Sequence, residues 1–410
     1  MALTGNAIIA QSGGPTAVIN NSVCGAIEEW FRSANDLGTI YAGVSGIKGI
    51  LQGNIIDLAQ QDPKKIAALR YTPGAGIFSC RYKVTEDDQL RIVDIFRKLN
   101  IRYFFYNGGN DSMDTAHKTY LAAKECGWDM RIIGIPKTID NDLPFTDHCP
   151  GYGSAAKYIA VTVRETGIDL ESVSTKNKVT ILEAMGRDAG WLTAAGALAR
   201  RYDDEAPHLI YLPEVPFSKS KFISDVEKVY NQLGYCYVIV SEGIVNEEGE
   251  YCFAGGTIDA FGHAQLSGAG ESLKSLVEQE LGVKARCNTM GTTQRSAMHF
   301  ASAVDANEAY LVGTNAVKYA LADKSGVMVT LERILDDPYS FGLGEVELGK
   351  VANIAKKLPL EWINDDHNYV TPEFIKYARP LIEGQVSLPL KDGLPDYVRL
   401  DLSKGKVNLD

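Results

Sequence analysis

Short apolar runs recur along this chain, each ending on glycine, asparagine or a charged group, with amphipathic stretches between them. Ala7-Ile8-Ile9-Ala10, Ile101-Arg102-Tyr103-Phe104-Phe105-Tyr106, Ile132-Ile133-Gly134-Ile135, Lys178 to Leu182, Leu209-Ile210-Tyr211-Leu212 and Cys236 to Val240 read as strands. Their nearly continuous hydrophobicity is that of strands covered on both faces. Helical patterns are predicted over Val18 to Trp30, after the Asn107-to-Ser112 break as far as about Lys124, over Ala155 to Ile168 and over Ala189 to Arg200. Strands alternating with helices predict an α/β fold of doubly wound, mainly parallel sheets. At 410 residues the chain is too long for one ordinary domain, so two lobes with a site in the cleft between them are expected. The expected division is 1–150, 151–293, a return of roughly 294–335 to the lobe interface, and an extension 336–410. That last part is interrupted by prolines and has no sustained period, so no role is assigned to it.

Chemistry concentrates where strands end. Pro136-Lys137-Thr138-Ile139-Asp140-Asn141-Asp142 follows an apolar run and sets a cation, a hydroxyl and two carboxylates within six residues, the outline of a phosphoryl-transfer site. If the segment stays extended, alternation puts Asp140 and Asp142 on one side, one able to take a proton and the other to hold a metal or orient its neighbour. The plainer alternative is an acidic loop whose Asp140 and Asn141 cap a following helix. Two further strand ends carry glycine pairs, Gln11-Ser12-Gly13-Gly14-Pro15-Thr16 and Asn107-Gly108-Gly109-Asn110-Asp111-Ser112. Adjacent glycines let backbone N–H groups approach an anion, and the helix that follows adds a partial positive charge. Three such turns suggest one crevice at the carboxyl ends of parallel strands. The Gly151-Tyr152-Gly153-Ser154-Ala155-Ala156 string has dinucleotide-site spacing, but no strand precedes it, so it reads as a helix entry.

Composition narrows the partners. A formal charge of -11 argues against nucleic acid or an anionic membrane surface, so an anionic substrate needs a local basic cluster. Seven scattered cysteines show no metal-ligand spacing and suit a reduced, cytoplasmic protein. No run approaches the ~18 apolar residues of a membrane span, and the N-terminus carries no basic and apolar leader.

Taken in order, Gly13-Gly14, Gly108-Gly109-Asn110-Asp111-Ser112, Lys137 to Asp142, Glu183-Ala184-Met185-Gly186-Arg187, Ser241-Glu242-Gly243 and the stretch Arg286 to Arg295 resemble the phosphofructokinase A family over roughly residues 5–335. Within it the chain resembles the pyrophosphate-dependent branch, because Asp111 and Lys137 stand where the ATP-dependent bacterial enzymes have glycine. Physics agrees with that reading: an Asp111 carboxylate fills the space of an α-phosphate and repels a third phosphate, while Lys137 clamps the remaining two. Asp111 also suits the first turn of the helix that begins there.

The resemblance implies reversible phosphoryl transfer from pyrophosphate to the 1-hydroxyl of fructose 6-phosphate, with Mg²⁺ as cofactor and a homodimer or homotetramer as the assembly. It assigns Asp140 as base, with Lys137, Thr138 and Arg187 at the reacting group. Gly13, Gly14, Arg81, Gly109, Asp111, Ser112 and Lys137 would bind the donor, so that 1–150 becomes the pyrophosphate and metal lobe. The acceptor would meet Thr138, Asp140, Lys178, Met185, Gly186, Arg187, Glu242, Arg286, Thr292 and Arg295, with 151–293 as the sugar-phosphate lobe. Arg286 and Arg295 suit the 6-phosphate because guanidinium forks match phosphate oxygens. Lys178 stands where the ATP-dependent bacterial enzymes place an arginine that reaches the neighbouring subunit's substrate. Asn110 departs from the family's metal-associated Asp, so the metal would rely on Asn110, Asp142 and pyrophosphate itself. An ATP-dependent phosphofructokinase is the nearer competing expectation, and an idle phosphate-sensing or scaffold protein the remote one.

Overall fold

The computed structural model describes residues 2–34, 36–258, 264–266 and 268–409. In the first lobe the strands are β1 (Asn6–Ser12), β2 (Ile40–Gly43), β3 (Ile55–Asp57), β4 (Ser79–Cys80), β5 (Ile101–Gly108) and β6 (Arg131–Pro136). The second lobe holds β7 (Val179–Ala184), β8 (Leu209–Tyr211), β9 (Cys236–Ser241), the antiparallel pair β10 (Ala254–Ile258) and β11 (Ala264–Leu266), and β12 (Ala285–Thr289). Two further strands, β13 (Val327–Asp336) and β14 (Tyr339–Glu347), return to the first. The large sheet has the order β14-β13-β6-β5-β1-β2-β3, with β4 against the end of β1, and the smaller one β12-β7-β9-β8. Pairing is parallel throughout the small sheet, and antiparallel in the large one only at β2–β3 and β13–β14.

Alternation along each strand explains why both faces of these sheets are covered. Ala7, Ile9, Tyr103, Phe105, Ile133 and Ile135 pack into one core while Ile8, Ala10, Phe104, Tyr106 and Ile132 pack into another on the opposite face. The small sheet does the same, Leu182, Ala184, Tyr237 and Ile239 on one side and Val179, Ile181, Val238 and Val240 on the other. Helices Ile19–Ser33 and Ala303–Leu321 supply apolar partners to the first of these cores. In the large sheet β1 lies between β2 and β5, so the connections leave it in opposite directions. That reversal opens a crevice at the carboxyl ends of β1 and β5.

Two readings change. Ala189 to Arg200 is not one helix but a short turn, Trp191–Ala194, running into a 3₁₀ stretch, Ala195–Ala199. The segment is small and buried all round, so it carries no amphipathic period, and a Cβ on Gly196 would come 2.9 Å from Ile239 Cδ1. Asp140 and Asn141 cap no helix, since the next one begins at Tyr152. The glycine-rich string at 151–156 is the start of that helix, as expected. Residues 336–410, to which the sequence assigns no role, join both lobes. β14 extends the large sheet, Phe374, Tyr377 and Leu381 enter the second-lobe core, and Leu400 returns to the first.

Candidate active site

The carboxyl ends of β1, β5 and β6 in one lobe and of β7 and β9 in the other surround a cavity of ≈ 680 Å³. Each wall follows from local sequence. Gly13 has φ +78, a left-handed conformation that glycine adopts without penalty, and this turns the chain at the cavity wall, its carbonyl accepting from Ser79 Oγ at 2.7 Å and its N–H donating to the Cys80 carbonyl at 3.0 Å. Lys137 leaves the end of β6 and is 3 % exposed; its Nζ donates to the Gly14 carbonyl at 2.8 Å. Burial pulls its pKa down to about 8 against the pull of Asp140 and Asp142, which favours the charged form. Arg81 and Arg295 act on the same ammonium, so three cations converge on the double-glycine turn. A Cβ on Gly14 would lie 2.8 Å from Arg295 Nη1, so glycine lets that guanidinium close over the turn.

Opposite these cations stand the carboxylates. The chain does not remain extended past Pro136 but bends at Asn141, whose φ is +55, and Asp140 and Asp142 nevertheless both line the cavity. Asn141 is fully buried and holds the bend, its Oδ1 accepting from Cys149 N at 2.9 Å and its Nδ2 donating to Tyr377 Oη at 2.8 Å. Thr138 Oγ1 accepts from Asp140 N at 3.1 Å and its hydroxyl bonds Asp142. Burial raises the Asp140 pKa, the Asp142 charge adds to this, and Lys137 and Arg187 oppose it. A carboxylate so raised is a better proton acceptor than an ordinary aspartate.

Asn110 opens the helix Asn110–Glu125 and donates from Nδ2 to Asp142 Oδ2 at 3.0 Å, while its buried Oδ1 has no partner. An orphaned amide oxygen beside a carboxylate fits two sites of a hard cation's oxygen shell, the remainder falling to water and substrate phosphate. Among the described residues no group of three or more His, Cys, Asp or Glu side chains is arranged to hold a metal. Gly109 and Ser112 form the same turn, and Asp111 lies in the first helical turn, where its charge complements the helix N-terminus.

From the second lobe, Met185, Arg187 and Glu242 face the cavity. Gly186 has φ +130, and a Cβ there would sit 2.7 Å from the Ala189 carbonyl, so only glycine permits the turn that aims Arg187 inward. The buried Nε of Arg187 has no partner. Glu242 Oε1 accepts weakly from Gly186 N at 3.4 Å, and burial raises its pKa to about 7. Gln294 Oε1 accepts from Met185 N at 3.2 Å, which ties the short helix carrying Arg295 to this turn.

Four expected residues do not line the cavity, among them Gly186, which shapes the turn before Arg187. Lys178 and Arg286 sit at the opposite ends of β7 and β12, on the order of 20 Å away by strand length, with Arg286 Nη1 3.3 Å from Asp169 and Lys178 over the Tyr230 ring. Thr292 is exposed ahead of the short helix Thr293–Ser296. Conversely, Asp188, Leu266 and Asn353-Ile354-Ala355 line the cavity although sequence reasoning does not point to them. Asp188 has one usable signal, as the carboxylate beside Arg187. The segment 353–355 has no local signal, because only the fold brings it back.

What such a cleft is equipped to do is move a phosphoryl group between two anions held on separate lobes, which makes this a small-molecule phosphotransferase. Known proteins narrow the class: the phosphofructokinase family model matches residues 6–320, and the chain belongs to that family. The pyrophosphate–fructose 6-phosphate 1-phosphotransferase of Xanthomonas campestris pv. campestris is 45% identical, over 97% of this chain and 96% of its own. That of Halomonas elongata is 42% identical over 96% of each. The crystal structure of a pyrophosphate-dependent phosphofructokinase from Marinobacter aquaeolei superposes with a TM-score of 0.91 at 42% identity, covering 99% of this chain and 98% of that one. Enzymes of this family generally need a divalent metal. No helix among the described residues is long and apolar enough to cross a membrane.

Proposed function

We propose that the enzyme transfers a phosphoryl group reversibly from pyrophosphate to the 1-hydroxyl of fructose 6-phosphate, giving fructose 1,6-bisphosphate and phosphate. The observation that carries this is Lys137: a buried cation bonded to the Gly14 carbonyl, with Asp111 in the same cavity lining, makes a site for two phosphates and crowds a third. Pyrophosphate lies on the Gly13-Gly14 and Gly109-to-Ser112 turns under Arg81 and Lys137, and the sugar is held by Glu242 and the Met185-to-Arg187 turn. Asp140 takes the proton of the sugar 1-hydroxyl as that oxygen bonds the terminal phosphorus. The P–O–P bond breaks and its electron pair leaves on phosphate. Arg187 neutralises charge on the transferring group while Lys137 and Thr138 hold it. Mg²⁺, held by Asn110 and Asp142, would supply further charge neutralisation on pyrophosphate oxygens. Because the broken and formed bonds are similar in energy, flux runs in either direction.

Lys178 and Arg286, distant from this cavity, belong in our reading to the site of a neighbouring subunit in a homodimer or homotetramer. Arg295 joins the acceptor phosphate to the donor turn it overlies. The seven free cysteines suit a reducing compartment, and we place the enzyme in the cytoplasm. Phosphorus NMR of the protein with Mg²⁺, pyrophosphate and fructose 6-phosphate tests the assignment. Orthophosphate and a new sugar 1-phosphoester should appear together in equal amounts; phosphate released without phosphoester would refute it.

A further inference from the structure

Beside the main cavity lies a second chamber of ≈ 310 Å³, and the two share Asp111 and Asn353 in their linings. The chamber's other walls are Tyr82, Lys83, Val84, Asp114, Thr115 and Lys118. Asn353 comes from the far end of the chain, just after the short helix Leu348–Val351. Its φ of +61 is one that asparagine tolerates better than most side chains. Its Nδ2 donates to Asp114 Oδ1 at 3.2 Å, and the other Asp114 oxygen takes Lys118 Nζ at 2.6 Å. Asp111 and Asp114 are three residues apart on one helix and so project from the same face. Asn353, bonded to Asp114, and Asp111, on the same helix face as Asp114, are thus the two residues that border both cavities.

We propose that Asn353 is a donor-specificity residue, the second half of a partition that ends the diphosphate site and seals the chamber behind it. This rests on the diphosphate reading given above. A donor of two phosphates stops short of the partition, whereas a nucleoside triphosphate must pass it to seat its sugar and base. Beyond the partition, Lys83 and Lys118 offer cations and Tyr82 a ring. Removing either residue leaves the other at the shared border, so their effects on nucleotide use cannot be independent.

The test is a double-mutant cycle of wild type, Asp111→Gly, Asn353→Gly and the double variant, reading the ratio of kcat/KM for ATP to that for pyrophosphate. Glycine accepts the backbone angle at 353, so the segment's course is preserved. Each single variant should raise the ratio modestly, and the double variant at least ~10-fold beyond the product of the two singles. A ratio equal to that product, or a full shift from Asp111→Gly alone, would overturn the role of Asn353. A wild type that already prefers ATP would instead overturn the diphosphate reading on which the inference depends. Should the double variant lose turnover, calorimetric titration with ATP decides the question in its place: binding ~10-fold tighter than in either single variant supports the partition, and unchanged binding contradicts it.

Discussion

A lysine buried as deeply as Lys137 gives up part of its basicity, and one buried as it is against two carboxylates becomes a clamp that fails in alkali. Its pKa of about 8 predicts that, in the free enzyme, capture of pyrophosphate weakens as the pH rises through that value, because the protonated form is the one that binds. Glu242 runs the other way. With a pKa raised to about 7 it is a carboxylate only above that pH, and hydrogen bonds from sugar hydroxyls are lost as the pH falls through it. The KM for pyrophosphate should therefore rise on the alkaline side and the KM for the sugar on the acid side. Glu242→Gln should abolish the acid limb alone, which initial rates across pH 5.5–9.5 would read. Persistence of that limb in the variant would assign it elsewhere. Asp140 answers to a different measurement. Asp140→Asn keeps the size and removes the proton acceptor, so kcat should fall by at least ~10²-fold with KM for the sugar nearly constant. A loss under tenfold would point to Asp142 as the base.

The loop that carries these carboxylates is held from several elements at once. His148 is buried between Asp147, 2.8 Å from Nδ1, and Glu308 of the helix Ala303–Leu321, 2.7 Å from Nε2. Arg333 of β13 donates to the same Asp147 and to the Tyr377 carbonyl, and Tyr377 Oη donates to the Asp147 carbonyl. Burial alone would lower the His148 pKa, but the two carboxylates outweigh it and raise it to about 9. Burial would raise that of Asp147, yet His148 and Arg333 bring it to about 2. A histidine whose folded pKa is raised contributes stability that is whole below pH ~6.5 and is lost as the pH climbs through its folded value; the aspartate's share is lost only as the pH falls toward 2. Thermal unfolding should thus show Tm declining between about pH 6.5 and 9 through His148. His148→Gln should cost ~3–5 kcal/mol near neutrality, by leaving the buried Glu308 carboxylate without its counter-charge, and should flatten that slope. An unaltered slope in the variant would exclude His148 as its source. None of this network is legible in the sequence, since its members lie up to 230 residues apart. The strands, by contrast, can be read from apolar runs such as Ile132-Ile133-Gly134-Ile135, and the glycine turns from residue type, because both signals are local. The helices Lys219–Leu233, Ala269–Leu281 and Ala303–Leu321 go beyond the sequence reading, as do strands β12 to β14. In β14, side chains that are half-buried or exposed weaken the apolar signal.

For the whole molecule, the site exists only where the lobes meet: Lys137 and the glycine turns belong to the large sheet, Arg187 and Glu242 to the small one. The carboxyl-terminal segment fastens the two: Lys356 donates from its backbone N–H to the Asp142 carbonyl at 2.7 Å and from Nζ to the carbonyls of Thr146 and Asp147 at 3.1 and 2.9 Å, while its own carbonyl accepts from Trp191 Nε1 at 3.0 Å. Segments without a local signature thus complete the catalytic loop that the sequence advertises most clearly. Whether this cleft takes pyrophosphate as phosphoryl donor is tested most directly by donor competition in a single tube. Pyrophosphate and ATP are supplied at equal concentration, each with its transferable phosphorus carrying a different isotope, together with fructose 6-phosphate and Mg²⁺, and the label in the bisphosphate is counted. Nearly all of it should come from pyrophosphate; label drawn mainly from ATP would contradict a diphosphate site built on Lys137 and Asp111.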